Sequence, residues 1–152
     1  MSEKLPSETC SLVGILDPDA YTTSAYTCGT TGVIDMQHFR SLMTIAAIGD
    51  WTTNGTFDLR LTESATSNGT FTTIIGKEIT QLTDDDSNEN DQAIINLDQT
   101  EMTAGMRWVS VEARIVAGIE ACVMCLGFKP RFTDAVITTA YGDLATVDEI
   151  VT

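Results

Sequence analysis

The chain has 152 residues, enough for one domain with a core of its own. Its formal charge is −14, from 22 acidic and 8 basic residues, so it repels nucleic-acid phosphates and anionic lipid, and neither is an expected partner. A hydrophobic fraction of 43% with mean hydropathy of +0.05 excludes a disordered chain.

The opening string MSEKLPSETC lacks the basic stretch and apolar run of a secretory signal. The longest apolar stretches, such as 115–126, are too short and interrupted to span a bilayer. Folding in a cytoplasm is therefore expected, with Cys10, Cys28, Cys122 and Cys125 reduced.

Residues 1–31 show little periodicity and are expected to form an N-terminal arm, with Leu12–Leu16 either a strand or part of that arm. Tyr21 and Tyr26 are candidate partner anchors there, or pack on their own domain. Gly32–Met36 reads as a short strand. Arg40–Trp51 reads as a strand apolar on both faces, as a central buried strand is. A helix over Met36–Ile48 competes, but β-branched residues and Gly49 favour strand.

The string NGTF then occurs twice, at Asn54–Phe57 and Asn68–Phe71. Asn-Gly is the signature of a type I′ hairpin turn, so a local meander is expected. Both strings are also formal glycosylation sequons, better read here as turns. Phe57, Leu59 and Leu61 alternate with Asp58, Arg60 and Thr62, the pattern of a half-buried strand. Phe71–Ile75 follows, Gly76 breaks it, and Glu78–Leu82 forms another short strand.

Asp84–Asp91 (DDDSNEND) is an acidic loop. It fails the calcium-loop pattern at its sixth and twelfth positions, leaving a solvated loop or a looser calcium site. Gln92–Leu97 returns to strand character. Met106–Val116 puts Val109, Val111, Ala113 and Ile115 on one face and Trp108, Ser110, Glu112 and Arg114 on the other. Ile119–Phe128 reads as a long, largely buried strand. About eight strands at 8–12-residue spacing predict an all-β fold, a single β-sandwich over residues 32–128, with a jelly roll as its more specific form. Pro130 ends the last strand, and 129–152 is expected to be a C-terminal arm. Its residues Lys129, Arg131, Val136, Ile137 and Tyr141 are candidate partner contacts.

Cys122-Val-Met-Cys125 matches C-x-x-C, but on a strand these positions point to opposite faces. They are read as buried structural residues, neither a redox pair nor half of a zinc site. His38 is the only histidine, and no serine lies in a nucleophile elbow. No catalytic residue, metal or cofactor is therefore assigned, and an enzyme is not expected.

The ordered strings GVIDMQHFRSLMTIAAIGDW, GKEITQLT, DQAIINLDQTEM, MRWVSVEARI and CLGFKPRF, spanning about residues 32–132, resemble small head decoration (cement) proteins of tailed bacteriophages, encoded near the major capsid protein. That resemblance implies a virion structural protein on the capsid exterior, made in the host cytoplasm. Its partner would be the major capsid protein, and it would form a homo-oligomer, with a trimer favoured. The alternatives are a head fibre, spike base or tail-associated component, and, in another class, a carbohydrate-binding β-sandwich using exposed Trp51 or Trp108.

Overall fold

A computed structural model of the chain describes residues 9–29, 32–52, 54–84 and 90–129. Its strands are β1 (Cys10–Tyr21), β2 (Ser24–Thr27), β3 (Ile34–Asp35), β4 (Ser41–Trp51), β5 (Thr56–Ser64), β6 (Thr72–Glu78), β7 (Leu82–Thr83), β8 (Gln92–Asp98), β9 (Trp108–Val116) and β10 (Ile119–Phe128). A 3₁₀ turn, Gln99–Glu101, follows β8.

These strands form two antiparallel sheets, so the expected β-sandwich is the observed fold. The four-stranded sheet has the order β1-β10-β4-β8. The six-stranded sheet runs β2-β9-β5-β6, with β3 also on β9 and β7 also on β5. The core lies between them. Val109, Val111, Ala113 and Ile115 of β9 point into it, as their alternation requires. So do Phe57, Leu59 and Leu61 of β5, which reaches β9 in register. Leu42, Thr44, Ala46 and Ile48 of β4 and Ala121, Val123 and Cys125 of β10 close the core from the other sheet.

Residues 10–21 and 24–27, expected within an arm, are instead strands of the two sheets. β1 pairs along the length of β10, and β2 pairs with β9. Two register shifts in β1, between Leu12 and Gly14 and between Leu16 and Asp19, account for the difference. Each bulge slips the inward-outward alternation, so no period of two survives in the sequence. Pro18 is tolerated because β1 is an edge strand.

The two NGTF strings differ from their expected geometry. The first joins β4 to β5, which lie in different sheets, so it is a crossover and not a hairpin. Asn54 is left-handed (φ 61°) but Gly55 is not. The Asn54 N–H donates to an Asp84 carboxylate oxygen, and the Asp84 N–H donates to the Gly55 carbonyl at 3.2 Å. The second string does lie in a hairpin, between β5 and β6, yet neither Asn68 nor Gly69 has positive φ. Gly76, expected to end a strand, sits inside β6 at φ 73°. There the β5–β6 register slips, and Ile75 is extruded to 98% exposure. The short strand expected at Glu78–Leu82 is Leu82–Thr83.

At one corner of the sandwich Asp35, His38 and Arg107 meet. Arg107 Nε donates to Asp35 Oδ1 at 2.8 Å, and the Gln37 N–H donates to the same oxygen at 2.9 Å. His38 Nε2 lies 3.5 Å from Asp35 Oδ2. Burial pushes the Asp35 carboxyl up. The hydrogen bonds from Arg107 and Gln37, with the Arg107 and His38 charges, outweigh it and hold the group below its ordinary value. A depressed carboxylate pKa contributes stability above the unfolded value of about 3.9, and that contribution disappears as pH falls through the folded value. Urea unfolding is therefore expected to show stability declining below about pH 4. In Asp35→Asn that part of the decline should be absent; an unchanged acid limb would contradict the assignment.

Candidate docking face

The outer faces of the two sheets differ in chemistry. On the six-stranded sheet, outward residues of β5 and β9 face each other as Asp58 with Arg114, Arg60 with Glu112 and Thr62 with Ser110. Arg60 Nη2 reaches Glu112 Oε2 at 2.7 Å. Thr62 and Ser110 are buried, Asp58 accepts from Gln81 Nε2 at 2.9 Å, and Ile75 and Val116 are exposed, so the surface is mixed, with charged residues at its centre.

On the four-stranded sheet, residues paired across the strands share a face. One outward row reads Ile15, Met124, Ile45 and Ile94 across β1, β10, β4 and β8. The next reads Leu12, Leu126, Met43 and Asn96. Neither row contains a charge. Ile94 is 56% exposed and Met124 is 38% exposed, while Leu12, Ile15, Met43, Ile45 and Leu126 are half-buried by one another. The sequence of β4 is thus apolar on both sides, but only one side is covered. This corrects the expectation of a strand buried on both faces. Four strands about 4.8 Å apart and about nine residues long project to roughly 600 Å². The two uncharged rows occupy the middle of that face, and an apolar patch shared by four strands is a candidate interaction surface.

The ends of this face differ in charge. At the β4 C-terminal end stand Asp17, Asp19, Asp50, Asp91 and Glu120, all exposed and none in an ion pair with a described residue. A hollow of about 540 Å³ opens there between Pro18, Asp19, Ala47, Glu120 and Cys122. At the opposite end are exposed Lys129 and Arg40, whose Nε lies 3.6 Å from Asp98 Oδ2. A second hollow, of about 710 Å³, lies there beside Met43, Asn96 and Phe128. Lys77 crosses from β6 to donate to the Asn96 carbonyl and to Glu101 Oε1, both at 2.7 Å, and so places a charge on the β8 edge.

Tyr21 and Tyr26 pack against the core and each other, with ring centroids 4.7 Å apart at 64°. Their hydroxyls donate to the carbonyls of Asp17 and Thr22. Both are thus engaged within their own domain. Lys129 ends the described residues at the rim of the docking face. Arg131, Val136, Ile137 and Tyr141 lie outside the described residues, as does the middle of the acidic loop, 85–89.

Cys122 and Cys125 point to opposite faces of β10, as a strand requires, and all four cysteines are free. Cys125 faces the core, where Thr44 Oγ1 donates to its sulfur at 3.3 Å; burial pushes its thiol up to about 12. Burial raises the Cys28 thiol as well. Among the described residues no three metal-ligating side chains converge. Trp108 has the Arg107 guanidinium 5.2 Å from its ring centroid, and Trp51 is half-buried against the core.

Sequence reasoning missed the docking face because each strand contributes only two or three outward apolar residues. Its signal was the doubly apolar string of β4. No family model matches the chain, and no curated protein or solved structure matches it.

Proposed function

We propose that this protein is a virion structural component, a decoration protein that binds the outer surface of a major capsid lattice and bridges its subunits. The observation that carries the assembly role is the asymmetry of the sandwich. One sheet presents charged side chains, with the Arg60–Glu112 ion pair among them, at its centre, whereas the other presents two uncharged, largely apolar rows there that another protein surface would complete. The capsid as the site of assembly follows from the resemblance of residues 32–132 to phage head decoration proteins. A −14 surface suits an exterior role because it does not capture nucleic acid released nearby. In this reading Arg131, Val136, Ile137 and Tyr141 belong to the lattice contact, and copies associate as a homo-oligomer.

Binding to emptied heads stripped of accessory proteins tests the proposal. The purified full chain is expected to co-sediment with them and to saturate at a copy number that scales with the lattice. Failure to bind overturns the proposal. Saturation at a few copies confined to vertices or neck replaces it with a head-fibre, spike-base or tail-associated role.

A further inference from the structure

We propose that the outer face of the four-stranded sheet is a self-association surface, on which a second copy of this chain packs with its strands antiparallel about a two-fold axis. The proposal rests on the reading of that face as an assembly surface, and it is independent of the capsid.

The charge pattern selects both partner and orientation. With the axis along the row Ile15–Met124–Ile45–Ile94, each residue of that row meets its own copy. The Leu12–Leu126–Met43–Asn96 row then faces the Cys122–Ala47–Gln92 row of the other copy, so apolar lies on apolar at the centre and amide on amide at the β8 edge. The strand direction is reversed between copies. The acidic end, with Asp17, Asp19, Asp50, Asp91 and Glu120, is therefore set against the end bearing Arg40, Lys77 and Lys129, where Asp98 and Glu101 offset part of the positive charge. The opposite, head-to-head arrangement would stack the acids on themselves. Covering the whole of both faces, charged ends included, buries roughly 1,200 Å², the lower limit for specific interfaces. Sheets stacked in this way lie about 10 Å apart with nearly aligned strands, the same geometry that forms the protein's own core. The symmetry is two-fold, where the family resemblance implies a trimer, so mass separates the two.

Sedimentation equilibrium of the full chain, without heads, tests the pairing. The wild type is expected to be a dimer at micromolar concentration. Ile94→Asp and Met124→Asp should each raise the dimer dissociation constant at least tenfold. Both side chains point outward, so circular dichroism should show the folds intact. Ile75→Asp changes the most exposed apolar residue, on the other sheet, and should leave the mass unchanged. Glu120→Lys should weaken the dimer, and Glu120→Lys with Lys129→Glu should restore it, reporting the orientation. A wild type that stays monomeric overturns the pairing. So does an oligomer, dimer or trimer, that is indifferent to both Ile94→Asp and Met124→Asp. A monomer that still binds heads removes the pairing and keeps the capsid role; a dimer that ignores heads does the reverse.

Discussion

Replacing Phe57 with alanine is expected to lower the unfolding free energy by about 3–5 kcal/mol. Phe57 has no exposed surface. It lies on β5, paired with Ile115 of β9 on one side and Leu82 of β7 on the other. Its ring therefore fills space that neighbouring strands define on both sides. Removing it loses the transfer energy of the ring and leaves a cavity that the flanking sheet backbone cannot collapse to fill. Domains of this size have about 5–15 kcal/mol in total, so the loss is a large share. With a typical urea slope the midpoint should fall by about 2 M while the slope is unchanged. Ile75→Ala is the matched control. Ile75 is 98% exposed, so its truncation should stay within about 0.5 kcal/mol. Equal effects at the two positions would contradict the placement of the core.

The second large effect is expected from adding a single methyl group. Gly127 points inward from β10, against the ring of Phe39, which is itself buried. A β-carbon at 127 would lie 2.6 Å from Phe39 Cδ1 and 2.7 Å from Cγ. Those distances are far inside van der Waals contact, and the obstacle is a rigid ring in a packed interior. Gly127→Ala is therefore expected to destabilise by about 1–3 kcal/mol through overpacking. The cause is steric and not conformational, because Gly127 has no positive φ. A double-mutant cycle with Phe39→Leu distinguishes the two. If the clash is the cause, the double variant should be less destabilised than the sum of the singles, with a coupling of about 0.5–3 kcal/mol. Strict additivity would rule the clash out.

These two sites also mark what was legible in the chain. Phe57 belongs to a clean alternation, Phe57, Leu59 and Leu61 against Asp58, Arg60 and Thr62, and its inward direction follows from pattern alone. The opposed directions of Cys122 and Cys125 follow in the same way. The apposition of Phe39 and Gly127 does not, because it joins residues 88 positions apart through a loop whose path no local rule predicts. β1 was hidden by its two bulges. The Asn54-Gly55 turn is a crossover and not a hairpin because Asn-Gly reports local backbone preference, whereas the route from β4 to β5 depends on which sheet each strand joins.

By itself the sequence determined that this chain is built of strands and, for most of them, which residues share a face. Backbone preference and period-two alternation are local properties, written in neighbouring residues. Only the tertiary structure decided which apolar faces are covered. A strand such as β4 carries apolar residues on both sides, and burial of each side depends on whether another layer is stacked there. The six-stranded sheet covers the Leu42, Thr44, Ala46 and Ile48 side. The Met43 and Ile45 side remains uncovered, and it is there that the candidate docking face lies.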